Sequence, residues 1–219
     1  MEDFLSMINS YETINKIYSY DLFERSDISK LLGIELEDHD LKIKSELDIS
    51  DIDRAVEMIA RDEKSKFVYG EIKRESVDDL SKFISKKIET KTSSFCDIGS
   101  GHGKLAMHMS LISEFRDILG IEISKVRSGY AKAIKAGSGI SDRVRLENRD
   151  LRELDFSDSD FVFMNDLLFT RSDIDFVVAN LKPGSHLISI SENGLIPEDR
   201  IMLCPTWQEH PLPFNYYRI

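Results

Sequence analysis

Apolar residues along the chain follow two rhythms, and the change between them falls near residue 93. Early in the chain Leu5, Ile8, Tyr11, Ile14, Tyr18 and Leu22 recur at close to helical spacing. Ser50 with Asp53 makes a capping box for a helix over 51–64, whose apolar stripe is Ile52, Val56 and Ile59. No strand-like or glycine-rich pattern interrupts this region, so residues 1–66 are expected to form a helical N-terminal subdomain, either a packing cover or a lid. The stretch FVYGEI (67–72) breaks the helical pattern with a short extended piece. Ser76 and Asp79 then predict a capped helix over 77–89 that buries Val77, Leu80, Phe83, Ile84 and Ile88.

Beyond residue 93 short apolar runs alternate with amphipathic stretches. Strands are expected at 94–98, 118–123, 144–149, 160–165 and 186–191, with helices at 103–113, 125–136 and 172–181. Ser124 is placed to cap the second of these helices, Gly137 follows its expected end, and Pro183-Gly184 marks the turn before the fifth strand. Such alternation implies an α/β fold, a mostly parallel sheet with helices on both faces. The tail differs: Ile201–Pro205 and Phe214–Ile219 are strand-like with no helix between them, which predicts an antiparallel hairpin at the sheet edge. Residues 67–219 are therefore expected to form one α/β domain.

Composition narrows the function. The 219 residues are 41% hydrophobic, enough for one medium domain with an appendage. A formal net charge of −11 argues against broad nucleic-acid binding; it suits a basic protein partner and equally suits plain solubility. Lys82, Lys86, Lys87 and Lys91 form a local cluster of the kind that is usually a solvated face and sometimes an anion-binding patch, through which a weak nucleic-acid contact could be made. Cys96 and Cys204 make neither a metal spacing nor a disulfide framework, and no metal is expected. The start, MEDFLSM, lacks a signal-peptide pattern, and no apolar run approaches a membrane span. The expectation is a soluble, non-secreted protein of a reducing compartment, with no membrane partner.

The chemistry concentrates in SSFCDIGSGHGK (93–104), which reads as a buried strand, a glycine turn and a helix start. Three ligands compete for such a turn. A P-loop requires a hydroxyl after the lysine, and Leu105 follows Lys104. A dinucleotide fingerprint requires its third glycine one residue later than Gly103. The third ligand is S-adenosylmethionine (SAM), because Asp-x-Gly-x-Gly-x-Gly resembles motif I of class I methyltransferases. SAM has no phosphates and needs a close backbone surface. Asp97 can meet its ammonium, Glu122 its ribose hydroxyls and Asp150 its adenine amino group, with Leu151 against the ring. Each acid also has a plainer role, Asp97 as a turn former and Glu122 or Asp150 as a helix cap. Their joint placement at the carboxyl ends of successive strands, where open α/β sheets bind ligands, favours the site.

Four further stretches extend the likeness: FVYGEI (67–72), VFMNDLLF (162–169), LKPGSHLISI (181–190) and TWQEHPLPFNYYRI (206–219). In this order they resemble the Dot-one (disruptor of telomeric silencing) family of histone-lysine methyltransferases, which use a class I (Rossmann-like) fold and not a SET domain. The resemblance covers about residues 60–219. It implies a SAM site formed by Tyr69, Gly70, Glu71 and Ile72, by Phe95, Cys96, Asp97, Ile98, Gly99, Ser100, Gly101, His102, Gly103 and Lys104, and by Glu122, Asp150 and Leu151. It implies a lysine channel lined by Asn165, Trp207 and Tyr216, and a histone or nucleosome as partner, which would place the protein in the nucleus. Another basic protein, a nucleic acid or a small molecule as acceptor, in the cytoplasm, and a non-catalytic SAM-binding module are the alternatives. Asp166 stands where the family carries a second asparagine, Ile72 stands where it often carries threonine, and the segment between Trp207 and the tyrosine pair is longer than usual.

Overall fold

The computed structural model describes residues 2–19, 71–206 and 209–219. The helix expected over 51–64, and Leu22, Tyr69, Gly70 and Trp207, lie outside the described residues. Seven strands form one sheet: β1 (Ser94–Ile98), β2 (Asp117–Glu122), β3 (Val144–Asn148), β4 (Phe161–Met164), β5 (His186–Ser189), β6 (Asp199–Leu203) and β7 (Leu212–Arg218), in the order β3-β2-β1-β4-β5-β7-β6. The first five pair in parallel, and β7 enters antiparallel between β5 and β6. The described helices are α1 (Glu2–Ser19), α2 (Arg74–Ser85), α3 (Lys104–Ile112), α4 (Lys125–Ser138) and α5 (Arg171–Asn180). The order reverses beside β1, so β1 and β4 flank the crevice in which such sheets bind ligands.

The central strands are short because their apolar runs are short, and they are buried on both faces. On one face Cys96, Ile98, Ile121, Val162, Met164, Leu187 and Tyr217 pack against Val177 and Leu181 at the end of α5. On the other, Phe95 lies against Phe115 and Phe161, Phe163 stacks on Phe214, and Phe83 of α2 meets Tyr216 edge-on. Full burial of such a side chain contributes roughly 1.5–3 kcal/mol, so these two clusters dominate the stability of the sheet. Arg143 closes the far end of α3: its guanidinium donates to the carbonyls of Ser110, Ser113 and Phe115, which the helix and the following turn would otherwise leave without partners.

Helix ends depart from the sequence expectation at two places. The helix expected to start at Val77 begins at Arg74, and Ser76 does not cap it. The Ser76 hydroxyl instead accepts from the Cys204 backbone N–H at 2.8 Å, tying the first turn of α2 to the end of β6. Helix α4 runs through Gly137, and Gly139, at φ 69°, is the residue that ends it. Ser124 caps α4 as expected, accepting from the Arg127 N–H.

Helix α1 up to Tyr18 groups with the sheet in one compact unit. Ile14 and Ile17 of α1 are buried, the Tyr18 hydroxyl meets His108 Nδ1 at 3.1 Å, and Asn15 accepts from Arg74. Burial depresses the His108 pKa to about 4, so this imidazole sits neutral under α1. Among the described residues no helix is long and apolar enough to cross a membrane.

One strand position is sterically critical. A Cβ at Gly120 would stand 2.8 Å from Leu146 Cδ2 and 3.0 Å from the Ser100 side chain. Gly120→Ala is expected to destabilise the protein by about 1–3 kcal/mol in denaturant unfolding, through overpacking beneath the glycine turn.

Candidate active site

Beyond β1 the chain turns sharply, with Gly99, Gly101 and Gly103 at φ 76°, 55° and 71°. Those angles suit glycine and strain other residues. The turn folds down onto β2. Gly99 and Ser100 both donate to the Ile121 carbonyl, at 2.9 and 2.8 Å, and Gly101 donates to Glu122 Oε2 at 2.9 Å. Gly103 donates back to the Ser100 carbonyl at 2.7 Å. These N–H groups are therefore engaged within the protein and form no cradle for phosphate. What remains is a close, flat stretch of backbone beside acidic groups.

The acids gather at this rim. Asp97 is 4% exposed, and burial, followed by the charges of Glu122 and Glu71, pushes its pKa up to about 8. Glu122 ends β2; besides Gly101 it accepts from the Ser124 N–H through Oε1 at 2.9 Å, with Arg127 Nη1 3.7 Å away. Its carboxylate is thus fixed at both oxygens while each keeps a lone pair. Asp150 caps the short turn Leu151–Glu153 through Oδ1, which accepts from the Arg152 N–H at 2.9 Å, and Leu151 is buried behind it. The capping bond uses one oxygen of Asp150.

Glu71 approaches the turn from the other side. Its carboxylate lies 3.1 Å from Lys104 Nζ and 4.0 Å from His102 Nδ1. Lys104 is 1% exposed, held by this ion pair with the Tyr18 ring 5.8 Å from its ammonium. His102 also lies against the Tyr130 ring at 5.3 Å. Ile72 bridges to Pro205, the Thr206 N–H donates to the Glu71 carbonyl at 2.8 Å, and the Glu71 N–H donates to Thr206 Oγ1 at 3.1 Å. The segment leading to Trp207 is thereby fastened to the loop before the glycine turn. Phe95, Cys96 and Ile98, expected at the cofactor, belong to the two aromatic and aliphatic clusters and support the turn from within the core.

Asn165 follows β4 and precedes the turn Asp166–Leu168. Tyr216 is elsewhere. Its hydroxyl bonds His186 Nδ1 at 2.7 Å, at the first residue of β5, and its ring faces Phe83 and the Lys87 ammonium. Since Asn165 lies beyond the opposite end of the parallel strands, the structure does not bring Tyr216 to it. Tyr217 points to the other face, where its hydroxyl interacts with Ser189 and Asn215 near the carboxyl end of β5.

Sequence reasoning did not single out Gly120 or Phe169. The Phe169 ring packs so close over the turn that a Cβ on Gly99 would stand 3.0 Å from it. A glycine inside the otherwise apolar run ILGIE was a readable sign of close backbone approach. Phe169 carried no such sign.

A family model described as histone methylation protein DOT1 matches residues 53–180. Among solved structures, an RNA methyltransferase from Salinibacter ruber in complex with S-adenosyl-L-homocysteine superposes with a TM-score of 0.55 at 20% identity, over 67% of this chain and 92% of that one. A precorrin-6y C5,15-methyltransferase from Geobacter metallireducens GS-15 superposes with a TM-score of 0.52 at 16% identity, over 68% and 90%. No curated protein matches the chain. The seven-stranded sheet is that of the class I methyltransferases, and with the family model covering more than half of its length the chain belongs to the DOT1 family of histone methylation proteins.

Proposed function

We propose that this methyltransferase transfers a methyl group from SAM to a lysine amine of a nucleosome or core histone. The observation that supports the cofactor is the engaged turn: Gly99, Ser100 and Gly101 give their N–H groups to β2, at a rim carrying Asp97, Glu122 and Asp150. A phosphate ligand gains nothing there, whereas a phosphate-free cation gains three carboxylates. SAM bound there supplies an electrophilic methyl group on a positively charged sulfur. Asp97 holds the ammonium, Glu122 accepts from the ribose hydroxyls with its remaining lone pairs, and Asp150 accepts from the adenine amino group with its second oxygen.

In-line displacement depends on orientation, which the rigid turn supplies on the donor side. The acceptor amine must be neutral, and its ordinary pKa is about 10.4. A narrow channel disfavours its charged form by desolvation. Asn165 offers a carbonyl toward the methyl in flight, and Trp207 an aromatic face. The net charge of −11 supports a basic acceptor, and with it a nuclear location and a histone in preference to a nucleic acid. The lysine cluster points the same way, because Lys82, Lys87 and Lys91 lie 3.5, 2.7 and 3.3 Å from Asp79, Asp199 and Glu114.

Labelled SAM incubated with nucleosomes, free histones and a panel of other basic proteins tests the acceptor. Incorporation into a histone lysine is expected; SAM binding with no incorporation into any protein would overturn the reading. Asn165→Ala and Trp207→Ala should lower methyl transfer by about tenfold or more while leaving SAM affinity within about twofold. Tyr216→Phe should keep transfer near the wild-type rate and cost about 1 kcal/mol of stability from the lost His186 bond.

The cofactor side has a pH signature. Asp97, with its pKa at about 8, is largely neutral at pH 7, and pairing with an ammonium ionises it. Binding then releases a proton, so SAM affinity should rise as pH approaches about 8, above which the ligand's own amine begins to lose its proton. Calorimetry in buffers of different ionisation enthalpy measures the proton count. Asp97→Asn should bind more weakly and without the released proton; wild-type binding with no proton release would remove Asp97 from this role.

A further inference from the structure

Asp166 is a buried carboxyl, 1% exposed, directly after Asn165. Its Oδ1 accepts from the backbone N–H groups of Ile190 at 2.7 Å and Ser191 at 3.0 Å, and its own carbonyl accepts from the Ser191 hydroxyl at 3.4 Å. The β4–β5 ladder stops at Phe163 and Ile188, so these bonds continue the strand connection where the ladder has ended. Oδ2 is buried with no hydrogen-bond partner. Among the described residues no cation forms an ion pair with it.

The groups around it confirm the lack of a counter-charge. From β7, Tyr217 faces the carboxyl, with its own pKa raised by burial. Arg200 of β6 donates to Asn215, and Asn215 in turn to the Ile190 carbonyl. Arg171 at the start of α5 is engaged by Asp175 and the Glu192 carbonyl. From the chain just after β5 the neighbours are the backbone N–H groups of Ile190 and Ser191 and the Ser191 hydroxyl. An unpaired buried anion is costly. A neutral carboxyl costs less: its carbonyl oxygen takes both N–H groups and its O–H matches the donor side of an asparagine amide.

We propose that Asp166 is a positioning residue for methyl transfer, working as a neutral carboxylic acid that locks the Asn165 turn to the Ile190–Ser191 turn. Burial raises its pKa from the ordinary carboxylate value, against the backbone N–H bonds of Ser191 and Ile190, which lower it. The proton resides on Oδ2, and ionisation puts an unpaired charge between the two turns. Asn165 then loses its fixed placement, while Asp97 on β1, and Glu122 and Asp150 on the other side of it, keep theirs. The assignment rests on the acceptor amine binding beside Asn165.

The test compares wild type, Asp166→Asn and Asp166→Ala, each as the full chain. Because burial raises the folded-state pKa of this group, wild type should lose stability as pH rises from the ordinary carboxylate value through that folded pKa, whereas Asp166→Asn should not, so the difference in melting temperature between them widens over that range. This readout needs no acceptor and separates failure of the present assignment from failure of the lysine reading. In turnover, Asp166→Asn should keep kcat within about twofold and lose the alkaline decline of wild type, while Asp166→Ala should lower kcat about tenfold or more with the KM for SAM unchanged. Parallel pH profiles for wild type and Asp166→Asn, in melting and in kcat, would overturn the proposal, as would an Asp166→Ala enzyme of undiminished kcat.

Discussion

The site depends on one contact: the glycine turn lies hydrogen-bonded on the end of β2. Three donors, from Gly99, Ser100 and Gly101, reach the Ile121 carbonyl and the Glu122 carboxylate. For that approach β2 must carry no side chain at position 120, and the turn must adopt left-handed angles. The same contact orients Glu122, brings the Phe169 ring onto Gly99 and directs Lys104 inward to Glu71. Sheet, turn and ligand rim are thus one rigid object, built before any ligand arrives.

That object gathers Asp97, Glu122 and Glu71 with Arg127 and Lys104 beside them. Burial, followed by the charges of Glu122 and Glu71, raises the cost of ionising Asp97. The Lys104 ammonium offsets part of this at Glu71. Anionic ligands meet both this field and a turn whose donors are already engaged.

Much of the fold was legible in the sequence, for identifiable reasons. Strands β1 to β5 showed because runs such as SFCDI and FVFM are apolar on both faces, and glycines and capping residues bounded them. Helix starts were less legible. Ser76 looked like a cap, yet its hydroxyl serves Cys204, a residue 128 positions away. Gly137 looked like a terminator, but nothing local distinguishes it from Gly139, which takes the left-handed angle. The acids of the rim were readable from their positions after the strands. The adjacent Tyr216 and Tyr217 were not separable, because neighbours on a strand face opposite sides and only the pairing of β7 with β5 decides which is which.

The bridge between Glu71-Ile72 and Pro205-Thr206 has a thermodynamic consequence. It joins the backbone before α2 to the segment after β6. Ordering this junction costs conformational entropy once. With the bridge already made, folding itself bears that cost, and the chain at Glu71 and at Thr206 is set in place together.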